Sequence, residues 1–96
     1  MKLSEIRDIL KAELLHGEGH LDEIISAGGG ADLMNDVLAA AAKGAVLLTG
    51  LTTEHVLRTA KIVGVSAIVF VRGKRPDNGL INLARSYDLP LLLTNY

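Results

Sequence analysis

Two turns hold the residues of this sequence best suited to chemistry. Thr49, Gly50, Thr52 and Thr53 form one, and Arg72, Gly73 and Lys74 form the other. Each turn closes a short apolar run and precedes a helical pattern. In an open parallel sheet, ligands sit outside the carboxyl ends of the strands. Helix N-termini at Thr53 and Pro76 would direct free N–H groups to that edge, and Arg72, Lys74 and Arg75 would add positive charge. The chemistry this suits is capture of a small anion, a nucleotide or a phosphate. The competing reading is structural: hydroxyls cap helices and basic residues solvate a loop. Every α/β sheet has such an edge, so the rule locates sites better than it proves them.

Other constellations are weaker. Gly28-Gly-Gly-Ala-Asp32 precedes a helical pattern but lacks the Lys-Ser/Thr ending of a P-loop and is not G-x-G-x-x-G. His16 and His20 are spaced for one helix face, but Gly17 and Gly19 disfavour a helix, so an exposed loop is expected rather than a metal site. Glu18, Asp22 and Glu23 read as surface acids, and His55 as a surface residue early in a helix. Asp32 and Asp36 share a helix face as solvated charges near its N-terminus. Ser4, Ser26, Ser66 and Ser86 stand outside any G-x-S-x-G elbow. No catalytic constellation emerges. The expectation is a non-enzyme without a metal or a cofactor.

The elements that must position these residues follow from periodicity. Ser4 can cap a first helix with Ile6, Ile9 and Leu10 at helical spacing. The pattern weakens at Leu14-Leu15, and His16 to His20 reads as a loop. Leu21 to Ser26 reads as a short strand, and Gly28-Gly-Gly30 breaks the chain. A second helix follows Asp32, with Leu33, Val37, Leu38 and Ala41 on one face, and stops near Gly44. Ala45 to Leu48 is too short for a helix and reads as a buried strand. Thr52 or Thr53 caps a third helix that ends at Gly64. Val65 to Val71, rich in β-branched residues, is a strand. Pro76 suits the first position of a fourth helix, and Pro90 to Thr94 is a last strand. Strands alternating with helices predict an α/β fold: a mostly parallel sheet of about four to five strands with a mixed edge, covered by helices.

Composition bounds the rest. The chain has 96 residues, which suits one domain spanning 1–96. Only Phe70, Tyr87 and Tyr96 are aromatic, so the core must be aliphatic. A net charge of −1 argues against a nucleic-acid binder that neutralises phosphates. The absence of cysteine excludes disulfides, thiol nucleophiles and iron–sulfur ligation. No apolar stretch is long enough to span a membrane, and no secretory leader is visible at Met1-Lys-Leu-Ser-Glu5, so a cytoplasmic location is expected.

Several ordered segments carry a family resemblance: Ala31-Asp-Leu-Met-Asn-Asp-Val-Leu38, Leu48-Thr-Gly-Leu-Thr52, Val56-Leu-Arg-Thr-Ala60, Ala67-Ile-Val-Phe-Val-Arg-Gly73 and Pro90-Leu-Leu-Leu-Thr-Asn-Tyr96. Together they resemble a DRTGG domain over nearly the whole chain. The resemblance implies a fold like the N-terminal domain of HPr kinase. It also implies a regulatory or dimerising module, found beside CBS domains in pyrophosphatase-like proteins and as small stand-alone proteins, some near hydrogenase subunits. The positions matching the family's Asp-Arg pair read Leu51-Thr52, and those matching its Thr-Gly-Gly read Val71-Arg72-Gly73. Ligand binding is therefore not carried over. Relatives usually continue past the matching Thr-x-Tyr into one more helix, so an uncovered apolar surface is expected, buried in a homodimer or by a protein partner.

Overall fold

The computed structural model describes residues 1–31 and 43–96. In chain order these form α1 (Leu3–Leu10), β1 (Glu13–His16), a 3-10 turn (Glu18–His20), β2 (Ala27–Ala31), β3 (Ala45–Thr49), α2 (Glu54–Val63), β4 (Ala67–Phe70), α3 (Asn78–Tyr87) and β5 (Leu91–Leu93). The strands make one five-stranded sheet in the order β1-β5-β4-β3-β2. β2, β3, β4 and β5 are parallel, while β1 runs antiparallel against β5. The expected α/β architecture, mostly parallel with a mixed edge, is what the chain adopts. The helix expected after Asp32, and the Asp32/Asp36 pair, lie outside the described residues.

Local physics explains where the elements depart from expectation. Leu21 to Ser26 is not a strand: Ile25 is buried, Ile24 is exposed, and one bridge joins Ile24 to Lys2. The strand comes later, in the glycine run itself, where Ala27–Ala31 pairs residue by residue with Ala45–Thr49. Ladder hydrogen bonds use backbone only, so a flanking strand can form without side chains; glycine's poor strand preference reflects missing packing, not an inability to pair. His16 closes a strand rather than opening a loop, and Glu18–His20 is a 3-10 turn. Ser4 does not cap α1. The helix starts at Leu3, and the Leu3 and Ser4 amides donate to the carbonyls of Glu23 (3.0 Å) and Leu21 (2.9 Å), so the 21–23 backbone does the work of a cap. Pro76 precedes α3 rather than opening it. Asp77 is the N-cap, and its carboxylate accepts from the Leu80 amide at 2.8 Å. Thr53 caps α2 as expected, accepting from the Val56 amide.

Alternation along the strands divides the core between the two faces of the sheet. Leu47, Ile68, Phe70, Leu91 and Leu93 pack against Val56, Leu57 and Ala60 of α2 and Leu80 and Ala84 of α3. Val46, Ala67, Val69 and Leu92 pack on the opposite face with Leu3 and Ile25. Burying each Leu, Val, Ile or Phe side chain contributes about 1.5–3 kcal/mol, which is how a nearly aromatic-free chain stays folded. Among the described residues, α1 is the one helix over this second face.

Candidate functional site

The carboxyl edge gathers both turns singled out by the sequence. Thr49 pairs with Phe70 in register, and the Val71 amide donates to the Thr49 carbonyl at 3.0 Å, so the Thr49-Gly50 and Arg72-Gly73 turns leave adjacent strands. Arg72 and Gly73 both have positive φ (54° and 67°), and the Lys74 amide closes the turn on the Val71 carbonyl at 3.1 Å. Two consecutive positive φ values are those of a type I′ turn. Its amides already have partners: Arg72 donates to the Tyr96 carbonyl (2.5 Å) and Gly73 to the Thr94 carbonyl (2.9 Å). The hydroxyls are also engaged. Thr49 is fully buried and accepts from the Leu51 amide at 3.0 Å, and Thr53 holds the N-terminus of α2. What faces water at this edge is Thr52, Thr53 and the Arg72, Lys74 and Arg75 side chains. Arg75 is paired with Glu13 at 2.7 Å, which ties the start of β1 to the edge.

A second cluster, at the opposite edge, was not legible in the sequence. Antiparallel pairing sets His16 beside Leu91, close to the C-cap of α3 at Asp88. His16 Nε2 lies 3.2 Å from Asp88 Oδ1, and His20 Nε2 lies 2.9 Å from Asp88 Oδ2. His20 Nδ1 faces Glu23 Oε1. The hydrogen bonds to Glu23 and then to Asp88 raise the His20 pKa above its ordinary 6.5. The bond to His20, then that to His16, lowers the Asp88 pKa below its ordinary 3.8. Beside the cluster is a cleft of about 220 Å³ that reaches Lys61, Ser66 and Tyr87. The paired histidines were visible as a spacing, but only the β1–β5 pairing brings Asp88 to them.

A third feature is apolar. An open cleft of about 550 Å³ lies between α1 and β3, lined by Met1, Ile6, Ile9, Leu10, Ile25, Ser26, Val46 and Leu48. None of these side chains is charged. Two of the lining side chains, Met1 (57 %) and Ile9 (61 %), are strongly exposed. Among the described residues no helix is long and apolar enough to cross a membrane.

No family model matches the sequence, and no curated protein matches it. The fold does have a solved counterpart. The chain superposes on the crystal structure of the CBS and DRTGG domains of the regulatory region of Clostridium perfringens pyrophosphatase, complexed with its activator diadenosine tetraphosphate. The TM-score is 0.77 at 18 % identity. The match covers 99 % of this chain and 41 % of that one, so this chain spans less than half of that regulatory region. The likeness shows a shared α/β fold with a regulatory region.

Proposed function

We propose that residues 1–96 form a regulatory module of the DRTGG type that acts by associating with a second copy of itself rather than by catalysis. The fold likeness to a regulatory region supports the first half. The observation that carries the second is the exposed apolar cleft beside α1, whose described lining side chains carry no charge. A two-fold interface must be self-complementary, and a patch whose described side chains are uncharged meets its own copy with little repulsion. A net charge of −1 adds little repulsion between whole chains. Sedimentation equilibrium tests the reading. The wild-type protein is expected to dimerise at micromolar concentration, and Ile9→Lys to sediment as a folded monomer. A wild-type protein that remains monomeric at tens of micromolar overturns it.

A second reading places a small anionic ligand at the carboxyl edge, held by the Arg72 and Lys74 side chains over the Thr49, Gly50, Thr52, Thr53 and Gly73 backbone. It is favoured by the convergence of the two turns on adjacent strand ends and by the nucleotide activator bound to the regulatory region of like fold. A bound ligand raises stability by RT ln(1 + [L]/Kd). A thermal-shift series with mono- and dinucleotides should then raise the Tm of the wild type and not that of the Arg72→Ala/Lys74→Ala double variant. The absence of a shift with every nucleotide and with inorganic phosphate rules this reading out.

A further inference from the structure

We propose that the amino edge carries a proton-operated latch: His20, clamped between Glu23 and Asp88, fastens the 17–23 turn to the C-terminus of α3 while its ring is protonated, and releases it when the proton leaves. The proposal stands whether or not the apolar cleft binds a second copy.

The geometry demands the proton. Both ring nitrogens of His20 face carboxylate oxygens, Nδ1 toward Glu23 and Nε2 toward Asp88 at 2.9 Å. A neutral imidazole has one N–H and one lone pair, so one of the two contacts would set a lone pair against an anion. The imidazolium donates to both, as charge-assisted bonds. His16 occupies the other oxygen of Asp88, so a single carboxylate receives rings from both ends of the turn. These contacts span 72 and 68 residues of sequence and are the side-chain ties between the turn and α3.

Glu23 and Asp88 are the charged groups that bear directly on the His20 ring. From α2, Lys61 reaches the same cleft but donates to the Tyr87 carbonyl at 3.3 Å. Tyr87 comes from α3, is partly buried and packs against the core. Glu18 and Asp22, on the turn itself, and Arg85, in the last turn of α3, are exposed. The carboxylates Glu23 and Asp88 therefore dominate the field at His20. Its raised pKa agrees, with Glu23 as the first cause and Asp88 as the second.

Release would travel. The turn's own amides are hydrogen-bonded within it, His20 to the Gly17 carbonyl (2.9 Å) and Glu23 to the His20 carbonyl (3.0 Å). The carbonyls of Leu21 and Glu23 hold the first amides of α1. A loosened turn thus frees the N-terminus of the helix that lines the apolar cleft.

Amide hydrogen exchange followed by NMR from about pH 5 to pH 9 tests the latch, with rates corrected for intrinsic exchange, alongside titration of the His20 ring signals. In the wild type the protection of the His20, Glu23, Leu3 and Ser4 amides should fall several-fold as pH rises through the His20 titration. Protection of Ile68 in β4 should not change. Asp88→Asn, which keeps a residue tolerant of the left-handed C-cap (φ 51°), and Glu23→Gln should each lower that protection at acidic pH and move the His20 titration toward its ordinary value. Protection in the wild type that does not vary with pH overturns the latch. So does an unchanged pH dependence in both variants.

Discussion

The buried hydroxyl of Thr94 donates a 2.6 Å hydrogen bond to the carbonyl of Leu10, joining the end of the last strand to the last turn of the first helix. Thr94 is 3 % exposed, and with Leu10 it borders a cleft of about 260 Å³. Thr94→Val keeps the shape and removes this hydrogen bond, which costs about 0.5–1.5 kcal/mol. Urea denaturation should show this as a lower midpoint at unchanged slope.

Gly17 is confined by Pro90. Its φ is +114°, and a Cβ there would stand 2.8 Å from the proline Cβ and 2.9 Å from its Cα. Gly17→Ala therefore meets both backbone strain and a clash with a ring that cannot rotate away. The expected loss is about 2–4 kcal/mol, combining a strained φ with overpacking. Gly19→Ala provides the control, since its Cβ would meet nothing within 4 Å and should leave stability nearly unchanged.

Stability should depend on pH through His20. Its folded-state pKa lies above 6.5, so the folded form holds the proton more tightly than the unfolded chain does. That contribution is fully present below 6.5 and is lost as pH rises through the raised value. Asp88 runs the other way: its depressed pKa stabilises above 3.8 and is lost as pH falls through the lower folded value. Unfolding free energies of wild type and His20→Gln should thus differ most between the two limits and converge at alkaline pH. A constant difference up to pH 9 or so would contradict this assignment.

Burial, rather than ion pairing, should set the size of mutational effects. Phe70 is fully buried between α2 and α3, and Phe70→Ala should cost about 3–5 kcal/mol. Arg58 and Glu54 meet at 2.8 Å on the exposed face of α2. Arg58→Ala should change stability by only about 0.5 kcal/mol or less, because an exposed i,i+4 pair is screened and costs side-chain entropy. Thermal unfolding of both variants under identical buffer gives the comparison.

The parts of this fold that were readable from sequence are those whose signal is local. β3, α2, β4, α3 and β5 each carry their own periodicity, and Thr53 and Gly64 mark the ends of α2 by their own chemistry. The first third was harder because its elements are made by tertiary pairing. Glu13–His16 is four residues long and is a strand only because β5 offers it an edge. Ala27–Ala31 contains no residue with strand preference and is held through the β3 backbone. The same difference separates the two polar clusters. Hydroxyls and cations beside Gly50 and Gly73 are neighbours in sequence, so that edge could be named in advance. Asp88 meets His16 and His20 only across a long-range pairing, and nothing near it in sequence signals the contact.

The position of β1 has a consequence for how the molecule is made. In the sheet order β1-β5-β4-β3-β2, the earliest strand has the last one as its partner. During vectorial synthesis, Glu13–His16 must remain without its partner until Leu91–Leu93 has emerged from the ribosome, because Leu14 pairs with Leu92. The central parallel strands can dock in order of appearance; the seam with β1 closes last. The Thr94–Leu10 bond and the histidine–Asp88 contacts lie on the same seam. Such long-range closure is slow relative to local helix formation. A nascent chain stalled before β5 should therefore expose Leu14 and Leu15, giving chaperones or proteases an early handle that the finished molecule withdraws.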